Sequence, residues 1–318
     1  SMPMLNRASL AMISPGNTYA GLTKPDLGEP NEPFIYRPTG KVNYFRVVPT
    51  DDLQGAVAAR WIQELGGKKV YVLDDRSLYG KGIGDVFTIA ADDLGLELMG
   101  REGIDPKAQE YRSTMTKIRE LGPDWVFFGG VTQSNAGQLA KDMVAVGLDA
   151  KLMVPDGCYE DAFIHAAGAE VLEDRAFITF GGVPPDQLTG AGAVFVKRYR
   201  ERFGIAPEGY AVYGYVAARV GIAAIARAGV HDRDAIRAAV AQTEEVDGAL
   251  GSWRFDANGD TTLSVLTGNV VKDGAFAFSR LLAAGAAEAE PKTSTATTAT
   301  ATTAPTATST GASREVAP

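Results

Sequence analysis

Short apolar segments alternating with longer stretches of helical periodicity predict an α/β protein built on parallel sheets with helices on both faces. Three observations carry that reading. The runs Lys69–Asp74 (KVYVLD), 125–128 (WVFF), Lys151–Val154 (KLMV) and 176–180 (AFITF) are short and apolar, as strands buried on both faces must be. Between them lie segments with apolar residues three and four apart, the spacing of one helix face. With 318 residues and 45% hydrophobic content the chain can bury two cores, so two lobes are expected.

At the start, Leu5 and Ala8 at helical spacing precede a strand over 10–13. The next helix begins at Thr50, after Pro49, with Asp51 and Asp52 in the first turn, where the helix dipole favours negative charge. Its expected apolar stripe is Leu53, Val57, Trp61 and Leu65, and Gly66 and Gly67 end it. Strand Lys69–Asp74 follows, then a helix over 80–94 that turns Ile83, Val86, Phe87 and Ala90 inward, then a strand over 96–100. The unit repeats as helix Arg112–Leu121, strand 125–128, helix 134–146, strand Lys151–Val154, helix 159–167 and strand 176–180.

After Gly181 three helical segments, 191–203, 210–228 and 233–242, follow with little strand between them, so they must pack on a sheet made elsewhere. The upstream sheet material outside the repeating block is the strand at 10–13, and a domain visited twice by the chain follows. FDANGD at 255–260 reads as a turn, and 265–271 with 275–278 as a hairpin around 272–274. From Ala283 to Pro318 the composition falls to Ala, Thr, Ser and Pro, which cannot offset its ordering entropy; a disordered linker or stalk is expected.

The formal net charge of -8 and the lack of a basic stripe argue against nucleic acid as a partner. Cys158 is the single cysteine, so no intrachain disulfide can form. The apolar stretch 210–229 carries Arg219 and Arg227 and reads as a buried helix, not a membrane span. The N-terminal residues lack the basic start and apolar core of a secretory signal and enter at once into a helix-to-strand pattern, as in a chain whose beginning has been cut away.

Catalytic motifs find little support. Gly80, Gly82 and Gly84 give GxGxG, which departs from the dinucleotide fingerprint. There is no GxSxG, Walker loop or HExxH, and His165 and His231 fall on helical, solvated segments. Asp256, Asn258 and Asp260 match a calcium loop only in part, because the glycine falls too early and the closing Glu is absent. No enzyme activity, cofactor or metal is expected.

The remaining candidates sit at carboxyl ends of predicted strands. Ser14, Gly16, Asn17 and Thr18 follow 10–13; Tyr79 follows Lys69–Asp74; Gly129, Gly130 and Val131 follow 125–128; Asp156, Gly157 and Cys158 follow Lys151–Val154. Ser, Asn, Asp and Gly are also ordinary turn residues. Their shared strand-end position favours a site, because open α/β sheets bind ligands in the crevice there.

In order, SPGNT (14–18), YFRVVPTDDLQGAVAA (44–59), YVLDDRSLYGKG (71–82), FFGG (127–130), VPDG (154–157) and FDANGD (255–260) resemble the periplasmic leucine/isoleucine/valine-type binding proteins of ABC importers. The same segments look like the ligand-binding ectodomains of glutamate-type receptors. The resemblance runs from about Met4 to Phe278. It implies a type I periplasmic-binding fold: two Rossmann-like lobes with parallel sheets, joined by three crossovers and closing as a hinged clamp. The first lobe would hold 1–47 plus 181–261 and be incomplete at its N-terminus; the second would hold 48–180 plus 262–282. A lobe short of its sheet would expose apolar edges and helix faces.

The resemblance also implies roles. Thr18, with the Gly16 carbonyl beside it, matches the threonine that binds the amino-acid backbone; Tyr79 matches an aromatic wall; Asp156 matches the acid that receives an α-ammonium. Val131 stands where branched-chain binders commonly carry tyrosine, and Asn17 where alanine or serine is usual. Ser14 and Gly157 complete the candidate set. The implied function is a periplasmic or extracellular solute-binding protein that delivers an amino acid, amide or aromatic acid to an ABC permease in the membrane. The ligand-binding ectodomain of a membrane receptor or sensor is the alternative.

Overall fold

The structure is a computed structural model that describes residues 1–283. Apart from Ala283, the Thr/Ala-rich tail lies outside the described residues. Met2–Arg7 forms α1, and Met12–Ser14 forms β1, which pairs in parallel with β2, Tyr44–Arg46. The repeating block then runs α2 (Asp51–Glu64), β3 (Lys69–Asp74), α3 (Leu78–Asp93), β4 (Glu97–Gly103), α4 (Arg112–Leu121) and β5 (Trp125–Gly129). It continues through α5 (Ala136–Ala145), β6 (Lys151–Val154), α6 (Asp161–Ala167), α7 (Ala169–Leu172) and β7 (Ala176–Gly181). Helices α8 (Gly190–Phe203), α9 (Ala211–Ala228) and α10 (Arg233–Ala241) follow, then strands β8 (Glu244–Gly248), β9 (Gly251–Arg254), β10 (Leu266–Lys272) and β11 (Ala275–Ala283).

The main sheet has seven strands in the order β11-β10-β7-β6-β5-β3-β4. Strands β3 to β7 are parallel, and the β10–β11 hairpin adds two antiparallel strands at the β7 edge. Both faces are covered, and strand residues alternate between them. Val70 and Val72, Trp125 and Phe127, and Met153 pack with Trp61 and Ile62 of α2 and Ile83 and Phe87 of α3. Tyr71 and Leu73, Val126 and Phe128, and Leu152 and Val154 pack on the other side with Met115, Leu139, Met143 and Phe163. Phe87 stacks on Phe127 at 4.0 Å between ring centroids. Each such fully buried side chain contributes about 1.5–3 kcal/mol of transfer free energy.

A smaller assembly holds the rest. β1 and β2 form a two-stranded sheet, β8 and β9 an antiparallel hairpin, and α9 packs on β1 and α10. By length and composition α9 could cross a membrane, but here Val212, Tyr213, Val216, Val220 and Ala224 are buried in the core. Its outer face leaves Ile222 and Ile225 exposed, and Phe203 at the end of α8 is exposed as well.

Three details differ from the sequence reading. The buried face of α2 is Asp51, Gln54, Gly55, Ala58, Ala59, Trp61 and Ile62, whereas Leu53 and Leu65 are exposed. The reason is close helix contact: a Cβ on Gly55 would lie 2.9 Å from Val86 Cγ1 and 3.0 Å from the Ile83 carbonyl oxygen, so the small-residue face turns to α3. Strand β4 runs on to Gly103, past the expected 100, because it pairs along all of β3 with an irregularity opposite Val70 and Tyr71. The β8–β9 hairpin was not anticipated, since Glu244–Gly248 (EEVDG) is largely solvent-facing and carries no apolar signal.

Candidate functional site

In the main sheet β3 lies between β4 and β5, so the strand order reverses at the β3–β5 pair. In open α/β sheets the crevice at the carboxyl ends of such a pair is the ligand position. A cavity of about 460 Å³ opens there. Asp75, Ser77, Leu78 and Tyr79 line it from beyond β3, Val131 and Ser134 from beyond β5, and Asp156 and Gly157 from beyond β6. The opposite wall is Gly16, Asn17, Thr18, Tyr19 and Leu22, beyond β1, together with Tyr210 at the entry to α9. A depression of about 490 Å³ near Trp125 and Lys151 lies at the amino ends of β5 and β6, away from these loops.

Seven of the eleven strand-end candidates thus line one cavity, Gly16, Asn17, Thr18, Tyr79, Val131, Asp156 and Gly157, whereas Gly129 and Gly130 do not. Ser14 does not line it. Its hydroxyl oxygen accepts from the amides of Gly16 (3.3 Å) and Asn17 (2.9 Å), so Ser14 shapes the turn that presents Thr18. Gly157 is required by close packing, because a Cβ there would lie 2.7 Å from Val131 Cγ1 and 3.2 Å from the Tyr79 hydroxyl. Cys158 is buried behind the cavity, with burial pushing its thiol far from the reactive thiolate.

Asp156 is the chemical centre. It is 2% exposed, and its Oδ1 accepts from the Tyr79 hydroxyl (2.7 Å) and Gln54 Nε2 (3.1 Å), while Oδ2 accepts from the Tyr210 hydroxyl. Burial raises its pKa above the ordinary carboxylate range, and these donors oppose the rise. The Tyr79 and Tyr210 hydroxyls are pushed well up, first by burial and then by the Asp156 charge, so both remain donors. None of the described residues lining the cavity is Lys, Arg or His. An anionic centre without a cation suits a ligand that brings its own positive charge.

The support of the Thr18 turn escaped the sequence reading. Arg46 of β2 is fully buried; its Nε donates to Asp260 Oδ1 at 2.6 Å and its Nη1 to the carbonyls of Tyr19 (2.7 Å) and Asn17 (3.2 Å). Thr23 receives from Arg46 Nη2 and donates to Asp260 Oδ2 at 2.9 Å. FDANGD is therefore a structural turn: Asp256 caps the amides of Asn258 and Asp260, and Asp260 anchors Arg46. Tyr19 is fixed by donating to Glu32 at 2.7 Å, and its ring packs on Gly82, where a Cβ would lie 2.6 Å away. The GxGxG glycines accordingly serve packing.

Tyr210 and Gln54 were also missed. Tyr210 lies at the entry to a helix and not at a strand end, and Gln54 sits on the polar side of an expected stripe that proved rotated. The one sequence signal for Gln54 was its place in the matched segment 44–59.

Comparison with known proteins gives a consistent picture. The periplasmic binding protein family matches residues 35–275. A protein from Pseudomonas aeruginosa named as an amino acid binding protein is 31% identical over 81% of this chain and 64% of its own length. The chain thus spans less than two thirds of that relative. A leucine-binding protein from Thermotoga maritima superposes with a TM-score of 0.77 at 24% identity, covering 88% of this chain and 75% of that one. A solute-binding protein of an ABC transporter from R. palustris, in complex with benzoate, superposes with a TM-score of 0.75 at 20% identity, covering 91% and 75%.

Proposed function

Because the chain belongs to the periplasmic binding protein family, we propose that it captures a small α-amino acid between two lobes and presents it to an ABC importer on the outer side of the membrane. The observation that carries the ligand class is Asp156: a buried carboxylate, held by two tyrosine hydroxyls and Gln54, in a cavity without a lining cation. The ligand ammonium would pair with Asp156, whose burial strengthens charge pairing. The Thr18 hydroxyl and amide would receive the carboxylate. Leu22, Leu78 and Val131 would surround the side chain, and Tyr79 and Tyr210 would flank it.

The two lobes of this reading are 1–47 plus 181–261 and 48–180 plus 262–282. Supporting the division, the seven-stranded sheet takes its strands from 69–181 and 266–283, while β1, β2 and α8 to α10 pack together elsewhere. Cavity walls from both assemblies are what a hinged clamp requires. The ABC permease as partner and the periplasmic or extracellular location rest on family membership.

Calorimetric titration of leucine into the chain and into Asp156→Ala tests the assignment. Removing one partner of a buried charge pair costs about 2–5 kcal/mol, so binding should weaken by at least about 30-fold. Undiminished affinity in Asp156→Ala contradicts it.

A further inference from the structure

Asp51 begins α2 and is 1% exposed, and neither of its carboxylate oxygens has an aligned hydrogen-bond partner. Its amide donates to the Thr18 carbonyl at 3.0 Å, which sets it directly behind the cavity wall. One helical turn on, Gln54 reaches Asp156, so α2 carries both an unpaired carboxylate and a ligand of the paired one.

The charged and titratable groups around Asp51 come from every neighbouring element. Asp156 from beyond β6, Tyr79 from α3 and Tyr210 from the entry to α9 interact electrostatically with it, and Asp52 shares its helical turn. Arg46 of β2 is engaged by Asp260, and Lys24 is engaged by Asp52 and Thr50. The Thr18 hydroxyl and the Arg46 charge favour the ionised Asp51 and oppose a rise in its pKa. Burial, followed by repulsion from Asp156, pushes the Asp51 pKa well above the ordinary carboxylate range, and burial also raises Asp156. Two buried carboxylates that repel each other resist ionising together without a counter-charge.

We propose that Asp51 and Asp156 carry a single proton between them in the empty cleft, and that the ligand ammonium expels this proton on binding. This rests on the amino-acid reading above and adds a second acidic group to the site. The exchange balances: one carboxylic acid, one carboxylate and an ammonium become two carboxylates and an ammonium, with one proton released to solvent. In the empty protein the folded state holds that proton to a higher pH than the unfolded chain does. Its stabilising contribution is complete below the ordinary carboxylate range and is lost as pH rises through the raised folded value.

Two readouts test this in the parent chain and in Asp51→Asn. Without ligand, melting temperature measured against pH should fall with rising pH in the parent, and Asp51→Asn should melt higher at neutral pH with a flatter profile. An unchanged profile in Asp51→Asn overturns the proposal. With leucine, calorimetry in buffers of different ionisation heat should show about one proton released below the raised value, with affinity rising about tenfold per pH unit there. In Asp51→Asn both the release and that pH dependence should be lost. Binding without proton release overturns this inference alone; failure of every amino acid to bind overturns it together with the proposed function.

Discussion

At the residue scale the site depends on pairs of groups that sequence spacing could not join. Asp156 was legible because VPDG lies at a strand end, but its hydroxyl donors come from 77 residues before and 54 residues after it. Arg46 is the fully buried post that ties the Asn17 and Tyr19 carbonyls to Asp260, 214 residues away, and nothing in its local sequence joins those partners. Replacing it by a shape-matched apolar residue leaves Asp260 buried without its counter-charge. We therefore expect Arg46→Met to lose about 3–5 kcal/mol of stability in chemical denaturation and to loosen the Thr18 turn. A loss below about 1 kcal/mol, the range of an exposed ion pair, would contradict that role.

At the element scale the βα repeats were read well because a parallel strand buried on both faces leaves a distinct apolar run. Lys69–Asp74, Arg112–Leu121 and Lys151–Val154 have the bounds expected from sequence. The face of α2 was misread because Gly55 and alanines pack it closely on α3, where small size matters more than hydrophobicity. The start of α3 joins fold to site. The Ser77 hydroxyl accepts from the Gly80 amide (2.9 Å) and donates to Asp75 Oδ1 (2.6 Å), while Asp75 Oδ2 receives from the Ser134 hydroxyl (2.5 Å). Ser77→Ala removes that helix cap and should cost about 1 kcal/mol in thermal or urea unfolding. No measurable change would show that the cap is redundant.

At the scale of the whole molecule, the alternating pattern and the matched segments made the α/β architecture and the strand-end crevice legible. The contribution of α9 to the cavity was not, because Tyr210 reaches it only through the packing of α9 beside β1. We propose that ligand selection in the cleft rests on a positive charge delivered to Asp156. The most direct test is a thermal-shift comparison of leucine with the same molecule lacking the amine, 4-methylpentanoate, and with benzoate. A ligand that binds the folded state alone raises the melting temperature in proportion to the logarithm of its concentration over its dissociation constant. Leucine or another small α-amino acid should raise it while both acids leave it unchanged; a rise with 4-methylpentanoate or benzoate equal to or above that with every amino acid would contradict the claim.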